Sequence, residues 1–205
     1  MDLTYYDRYL PHRLPAGHSF FITFRLAGSL PAEVVLRLQE EKILLEEEAA
    51  RRRRAGLPDD VYTRQKQWFA RYDTCLDTSA KGPMYLREQA LGEVVVQALH
   101  YYHEHSAYEL LSYCIMPNHV HLVVLLPDEA PSLLRTLQGL KSYTARRLNA
   151  MRGTTGRVWQ PESYDHRIRN PRELQNILRY TLHNPVKAGF VEDWQQWPFT
   201  FLSNE

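Results

Sequence analysis

Cysteine is scarce. The chain has two cysteines in 205 residues, Cys75 and Cys114, too few for a disulfide framework and without partners at zinc-ligand spacing. Both are expected to be reduced thiols. Long apolar runs are also missing. The longest, around Leu122 to Leu126, falls far short of the roughly 20 residues a membrane helix needs. Residues 1–30 show no basic stretch followed by an apolar core, so no secretory signal is expected. These absences lead us to expect a soluble, cytoplasmic protein with no membrane partner. Internal repeats and low-complexity tracts are absent too, which excludes solenoids and arrays. Net charge is close to nil, at +1.

The charge is unevenly spread. Between Pro131 and Phe190, eleven cations (Lys141, Lys187 and nine arginines) face three acids, Glu162, Asp165 and Glu173, a surplus of eight. A basic half on a neutral chain points to a polyanion-facing surface, although solvated helix faces would give the same count.

The length suits one domain of ordinary size, alone or with a substantial insertion. Ser19 to Leu26 is aromatic and β-branched and predicts a strand. Residues 32–54 carry apolar positions at helical spacing and end in four arginines, 51–54, which predicts a charged helix. Further helices are expected over 59–75 and 86–104. Tyr108 to Ile115 and His119 to about Leu126 predict two strands joined tightly through Met116, Pro117 and Asn118. Pro131 to Met151 predicts a long basic helix, and Val158 to Ile168 an extended stretch with a strand at 164–168. The last helix is expected from Glu173 to about His183, begun by Asn170-Pro171 and stopped before Asn184-Pro185. The aromatic tail, with Trp194, Trp197, Phe199 and Phe201, is expected to pack. This order predicts an α+β fold: a ferredoxin-like, RRM-like antiparallel sheet with helices on one face and a helical insertion at about 32–80, all in one domain.

One constellation carries chemistry. His119 and His121 stand at i and i+2 on a predicted strand, so both imidazoles share a face. Two protonated imidazoles would repel, whereas two neutral ones can share a divalent ion and leave positions open for a phosphate. Zinc, manganese and magnesium all stay open, with imidazole favouring the transition metals. About sixty residues on, the last helix offers Tyr180, with Asn184 one turn further on the same face. A tyrosine can attack a phosphodiester if the developing charge is neutralised. The product is a 5′-phosphotyrosine ester with a free 3′-hydroxyl. The competing reading makes Tyr180 a core tyrosine and Asn184 a helix C-cap.

Several blocks carry a family resemblance. Met116 to Val123 (MPNHVHLV) resembles the His-hydrophobe-His (HUH) signature of single-tyrosine transposases. Trp159 to Arg169 (WQPESYDHRIR) and Tyr180 to Val191 (YTLHNPVKAGFV) resemble the C-terminal half of the REP-associated tyrosine transposases. Leu10 to Pro15 (LPHRLP) and Phe21 to Leu26 (FITFRL) look like their opening. The resemblance runs from about residue 9 to 192, apart from the insertion. It implies Tyr180 as nucleophile, in preference to Tyr143 on the helix after the histidine strand and to Tyr164. It implies Asn184 as third metal ligand, where mobile relatives often carry the longer glutamine. His183 points about 100° away around the helix. The resemblance further implies Mg2+ or Mn2+ as cofactor. The implied partner is single-stranded, hairpin-forming repeat DNA with a short guide sequence, in a nucleoid-associated setting, and a monomer is favoured over a homodimer. Arg146, Arg147, Arg152, Arg167 and Arg169 are then candidates for phosphate contacts, and Trp159 and Tyr164 for base stacking. The implied activity is metal-dependent cleavage and rejoining of single-stranded DNA. The alternatives are a DNA- or RNA-binding module on the same fold and a metal-dependent RNA nuclease or primase-like protein.

Overall fold

The computed structural model describes residues 17–58, 61–79 and 81–203. The LPHRLP block lies outside the described residues. Two compact units are present: Gly28–Pro83, and the rest of the chain up to Ala27 and from Met84 onward.

The larger unit is built on a five-stranded antiparallel sheet. Its strands are β1 (His18–Leu26), β2 (Glu109–Ile115), β3 (His119–Leu126), β4 (Trp159–Arg167) and β5 (Thr200–Leu202), in the order β4-β1-β3-β2-β5. The first four follow the ferredoxin-like order, and the short β5 extends the β2 edge. Its helices are α3 (Gln89–Glu104), α4 (Leu133–Arg152) and α5 (Pro171–Lys187).

Strand alternation decides which side chains meet which helix. Phe20, Ile22, Phe24 and Leu26 of β1 join Val120, Leu122 and Val124 of β3 in one core. Leu91, Val94, Val95, Ala98 and Leu99 of α3 pack into it, with Leu133, Leu137, Leu140 and Leu148 of α4. Those helical positions recur at three- and four-residue spacing, as one apolar face requires. The opposite sheet face carries Phe21, Thr23, His119 and His121. It is covered by α5, which packs on β2 and β3. Helices therefore lie on both faces, α3 and α4 on one and α5 on the other. This explains why β3 is buried along nearly its whole length.

α3 also shows how tightly this core is filled. A Cβ at Gly92 would stand 2.5 Å from Phe199 Cζ and 2.7 Å from the Leu86 carbonyl oxygen. The carbonyl belongs to the backbone and cannot rotate away. Gly92→Ala is expected to cost about 1–3 kcal/mol, read as a lower urea midpoint at unchanged m-value.

Two boundaries differ from expectation. α5 does not stop before Asn184-Pro185; it runs through both to Lys187. Pro185 sits in the last turn, so its missing N–H removes one helical bond near an end where carbonyls lack partners anyway. The Ala188 amide donates to the Asn184 carbonyl at 2.9 Å, and Phe190 donates to the Pro185 carbonyl at 2.9 Å. The helix then closes on Gly189 at φ 75°, a left-handed position that favours glycine.

β4 begins earlier than 164. It pairs Trp159 with Leu26, slips across a bulge, and resumes at Ser163 opposite Phe24. Lys141 props the bulge. Its Nζ donates to the carbonyls of Gln160 and Pro161 at 3.1 Å and to Ser163 Oγ at 2.7 Å. Burial of this ammonium lowers its pKa to about 8, opposed by Glu162 and reinforced by Arg25. Lys141 is thus internal and does not add to the basic surface.

The smaller unit is a helical pair, α1 (Ala32–Arg54) and α2 (Val61–Asp77). Trp68 Nε1 donates to the Leu38 carbonyl at 2.9 Å, and Arg71 pairs with Glu41 at 3.1 Å. The four-arginine run forms the last turn of α1 and is exposed. Among the described residues, no helix is long and apolar enough to cross a membrane.

Candidate metal and nucleophile site

β3 places His119 and His121 side by side on the face under α5. Both are fully buried. Their Nε2 atoms converge at 2.9 Å. Each ring is held from behind by its other nitrogen. His119 Nδ1 donates to Asn118 Oδ1 at 2.6 Å, since an amide oxygen can only accept. That leaves the His119 Nε2 lone pair facing His121. His121 Nδ1 lies 2.8 Å from Thr23 Oγ1, its cross-strand partner on β1. When Nδ1 donates to Thr23, both Nε2 lone pairs point into one space, an arrangement that needs a cation between them. When the Thr23 hydroxyl donates instead, His121 Nε2–H donates to His119 and the pair is satisfied without metal. Backing of ligand imidazoles by such outer partners is the usual way a metal site fixes its tautomers.

Phe21 stacks on His121 with ring centroids 5.6 Å apart. Tyr180, from α5, meets both rings edge-on, at 5.9 Å from His121 and 6.0 Å from Phe21. The structure thus brings Tyr180 beside the histidine pair. Lys187, two turns further along α5, holds its ammonium 5.4 Å from the Tyr180 ring centroid. Asn184 is fully buried. Its Nδ2 donates to the Tyr180 carbonyl at 2.9 Å, and among the described residues nothing hydrogen-bonds its Oδ1. A buried oxygen without a donor is costly unless something else satisfies it, and a cation would. Imidazole nitrogens and an amide oxygen are donor types that a divalent ion accepts, so His119, His121 and Asn184 are the residues that could hold one.

The rival tyrosines lie in other surroundings. Tyr143 is exposed on α4. Tyr164 shares the histidine face, opposite Thr23, but burial raises its pKa above the ordinary tyrosine range, helped by Asp165. His183 is exposed, and its Nδ1 is engaged with the Arg179 carbonyl.

Arg146, Arg147, Arg152, Arg167 and Arg169 are all exposed. The Arg152 guanidinium lies 3.8 Å from the Tyr85 ring centroid. Trp159 needs a correction: it belongs to the core and has no face for an unpaired base. It is 5% exposed, its Nε1 donates to Thr144 Oγ1 at 2.8 Å, and its ring stands edge-on to Phe24.

Sequence reasoning missed Thr23, Asn118, Phe21 and Lys187. Asn118 was findable, because it adjoins the histidine pair. Thr23 lies 98 residues from His121, and only the strand register connects them.

Residues 83–182 match the family described as "Transposase IS200 like". A putative REP-associated tyrosine transposase of Haemophilus influenzae is 32% identical over 106 residues, covering 47% of this chain and 60% of the relative. Its relatives are REP-associated tyrosine transposases. The Escherichia coli K12 protein of that name is 28% identical over 96 residues, 45% of this chain and 53% of its own length. The match thus spans little more than half of each curated relative. A solved REP-associated tyrosine transposase, bound to a REP hairpin, shares the fold at TM-score 0.57 and 17% identity, covering 97% of this chain and 82% of that one. The family match spans the MPNHVHLV and WQPESYDHRIR blocks and reaches Tyr180, and the fold is shared with the solved structure.

Proposed function

We propose that the chain is a metal-dependent single-stranded DNA endonuclease and strand transferase acting at hairpin-forming repeats through a 5′-phosphotyrosine intermediate. The observation that carries this reading is the convergence of His119 and His121 Nε2 at 2.9 Å, with the Tyr180 ring 5.9 Å from His121.

A divalent ion held by His119, His121 and Asn184 Oδ1 would polarise the scissile phosphate and offset the charge developing on its oxygens. Imidazole ligands favour Mn2+ over Mg2+ within the pair the family implies. Tyr180 Oη attacks phosphorus and gives up its proton, the Oη–P bond forms, and the P–O3′ bond breaks. The leaving O3′ takes up a proton. The bond energy is kept in the tyrosyl ester, so the reverse attack by a 3′-hydroxyl rejoins the strand. Lys187 lies where its charge favours both the phenolate and the approaching phosphate. Exposed arginines on α4 and around the end of β4 supply sequence-independent phosphate contacts.

The direct test is a labelled hairpin oligonucleotide incubated with the protein and Mn2+, followed by a search for a covalent adduct. Binding without cleavage, unchanged in a His119→Ala, His121→Ala double variant, would make the chain a binding module instead. Activity that needs metal but survives every tyrosine substitution would point to a nuclease that uses water.

The outer partners give a finer prediction. Thr23→Val removes the group behind His121 Nδ1 while keeping the side chain's shape. It is expected to weaken Mn2+ affinity by about 10–100-fold, measured by calorimetric titration. Unchanged affinity would remove Thr23 from the site.

A further inference from the structure

One buried polar pair on the histidine face has no part in the chemistry above. His166 lies on β4, directly opposite Phe21 on β1. Its Nε2 is 3.0 Å from Glu173 Oε1, with the two side chains only 10% and 5% exposed. The other carboxylate oxygen, Oε2, accepts from the Arg169 amide at 3.0 Å. Glu173's own amide donates to Asn170 Oδ1, the N-cap of α5, at 2.9 Å. One carboxylate thus ties the end of β4, the β4–α5 corner and the first turn of α5 together.

Stability alone does not explain this pair. A buried ionisable pair is often no better than apolar residues of the same volume, and an exposed acid would serve the helix N-terminus equally well. What a buried, directional pair adds is a single orientation. Glu173 and Tyr180 are seven residues apart, about two turns, and so lie on one face of α5. The lever between them is about 10 Å. A tilt of some 10° at the corner would carry Tyr180 by nearly 2 Å, whereas a misplacement of about 1 Å can cost 100-fold in rate. Phe21 links the two ends: it lies opposite His166 across the strands, and its ring meets both His121 and Tyr180.

We propose that His166 and Glu173 are positioning residues that set the angle of α5 and so aim Tyr180 at the histidine pair. The proposal rests on Tyr180 being the nucleophile, but its geometric core can be tested without that.

The test uses the full chain with 3-fluorotyrosine placed at position 180, read by 19F NMR, together with adduct formation from a hairpin oligonucleotide at saturating concentration with Mn2+. In the wild type the neighbouring Phe21 and His121 rings shift the 19F resonance. His166→Ala is expected to move that resonance towards the free-tyrosine position and to slow adduct formation about 100-fold, with hairpin affinity unchanged within twofold. His166→Gln keeps an N–H donor at the same reach and is expected to restore both. A wild-type resonance and rate in His166→Ala would overturn the proposal, as would failure of His166→Gln to restore either. If His166→Ala does not fold, Glu173→Gln decides. It keeps one of the two acceptors and is expected to give an intermediate 19F position and about a tenfold slower rate, and wild-type values for both would overturn the proposal. Should Tyr180→Phe protein still form the adduct, the nucleophile assignment fails, and the 19F arm alone still reports whether the pair positions the ring.

Discussion

Tyr180→Phe is expected to abolish the covalent adduct while leaving the fold and hairpin binding intact. The ring makes edge-on contacts with Phe21 and His121 at 6.0 and 5.9 Å, and phenylalanine keeps them. Only the hydroxyl is lost, and with it the attacking atom. Removing a nucleophile from an active constellation typically costs about 10³-fold or more, which here means no detectable adduct on a denaturing gel. Tyr143→Phe and Tyr164→Phe are the controls. Tyr143 is exposed on α4, and burial keeps the Tyr164 phenol protonated well above neutral pH, so neither change should slow the reaction more than a few-fold. Adduct formation by Tyr180→Phe at the wild-type rate would sink the assignment.

The second large effect is expected from the histidines. Replacing His121 with alanine deletes one of two converging nitrogens and leaves Thr23 Oγ1 without its partner. His119→Ala removes the other converging nitrogen and the imidazole bonded to Asn118 Oδ1. Each is expected to end Mn2+-stimulated cleavage, a loss of about 10²-fold or more. Folding needs a separate check, because an orphaned buried polar group costs about 1–3 kcal/mol. Metal-dependent stability supplies it. At Mn2+ one hundred times its Kd, the wild type should gain about 2.7 kcal/mol against unfolding, whereas a folded variant without the site gains nothing. A variant that is stabilised by Mn2+ as strongly as the wild type would show that the ion binds elsewhere.

Much of this was legible in the chain because strand periodicity is a local property. His119 and His121 alternate with Val120 and Leu122, so their shared face followed from spacing alone, and the strand order followed from the succession of elements. Tyr180 and Asn184 shared a helix face by the same local argument. What was not legible depended on distant partners. The bulge in β4 coincides with Pro161, which cannot donate to the ladder, but Lys141, which props it, lies on another element and is not legible from the strand. Trp159 was a candidate for base stacking, but the core reaches it from Phe24 and Thr144. The end of α5 was misplaced for a different reason. The bias of a residue preceding proline is a tendency, and Ala188 and Phe190 offset it with bonds that cross Pro185.

The 98-residue separation between Thr23 and His121 has a consequence for the order of assembly. The β2–β3 hairpin can form locally and already carries both imidazoles with Asn118. It cannot set the His121 tautomer until β1 pairs alongside, a non-local step that belongs to the slower part of folding. Tyr180 comes last, on a helix that must dock over the finished face. On a ribosome, therefore, both imidazoles and their outer partners are translated before α5 brings Tyr180 and Asn184. If Asn184 is a ligand, Mn2+ uptake at full affinity during refolding should accordingly follow the closing of the β1–β3 ladder and coincide with the docking of α5.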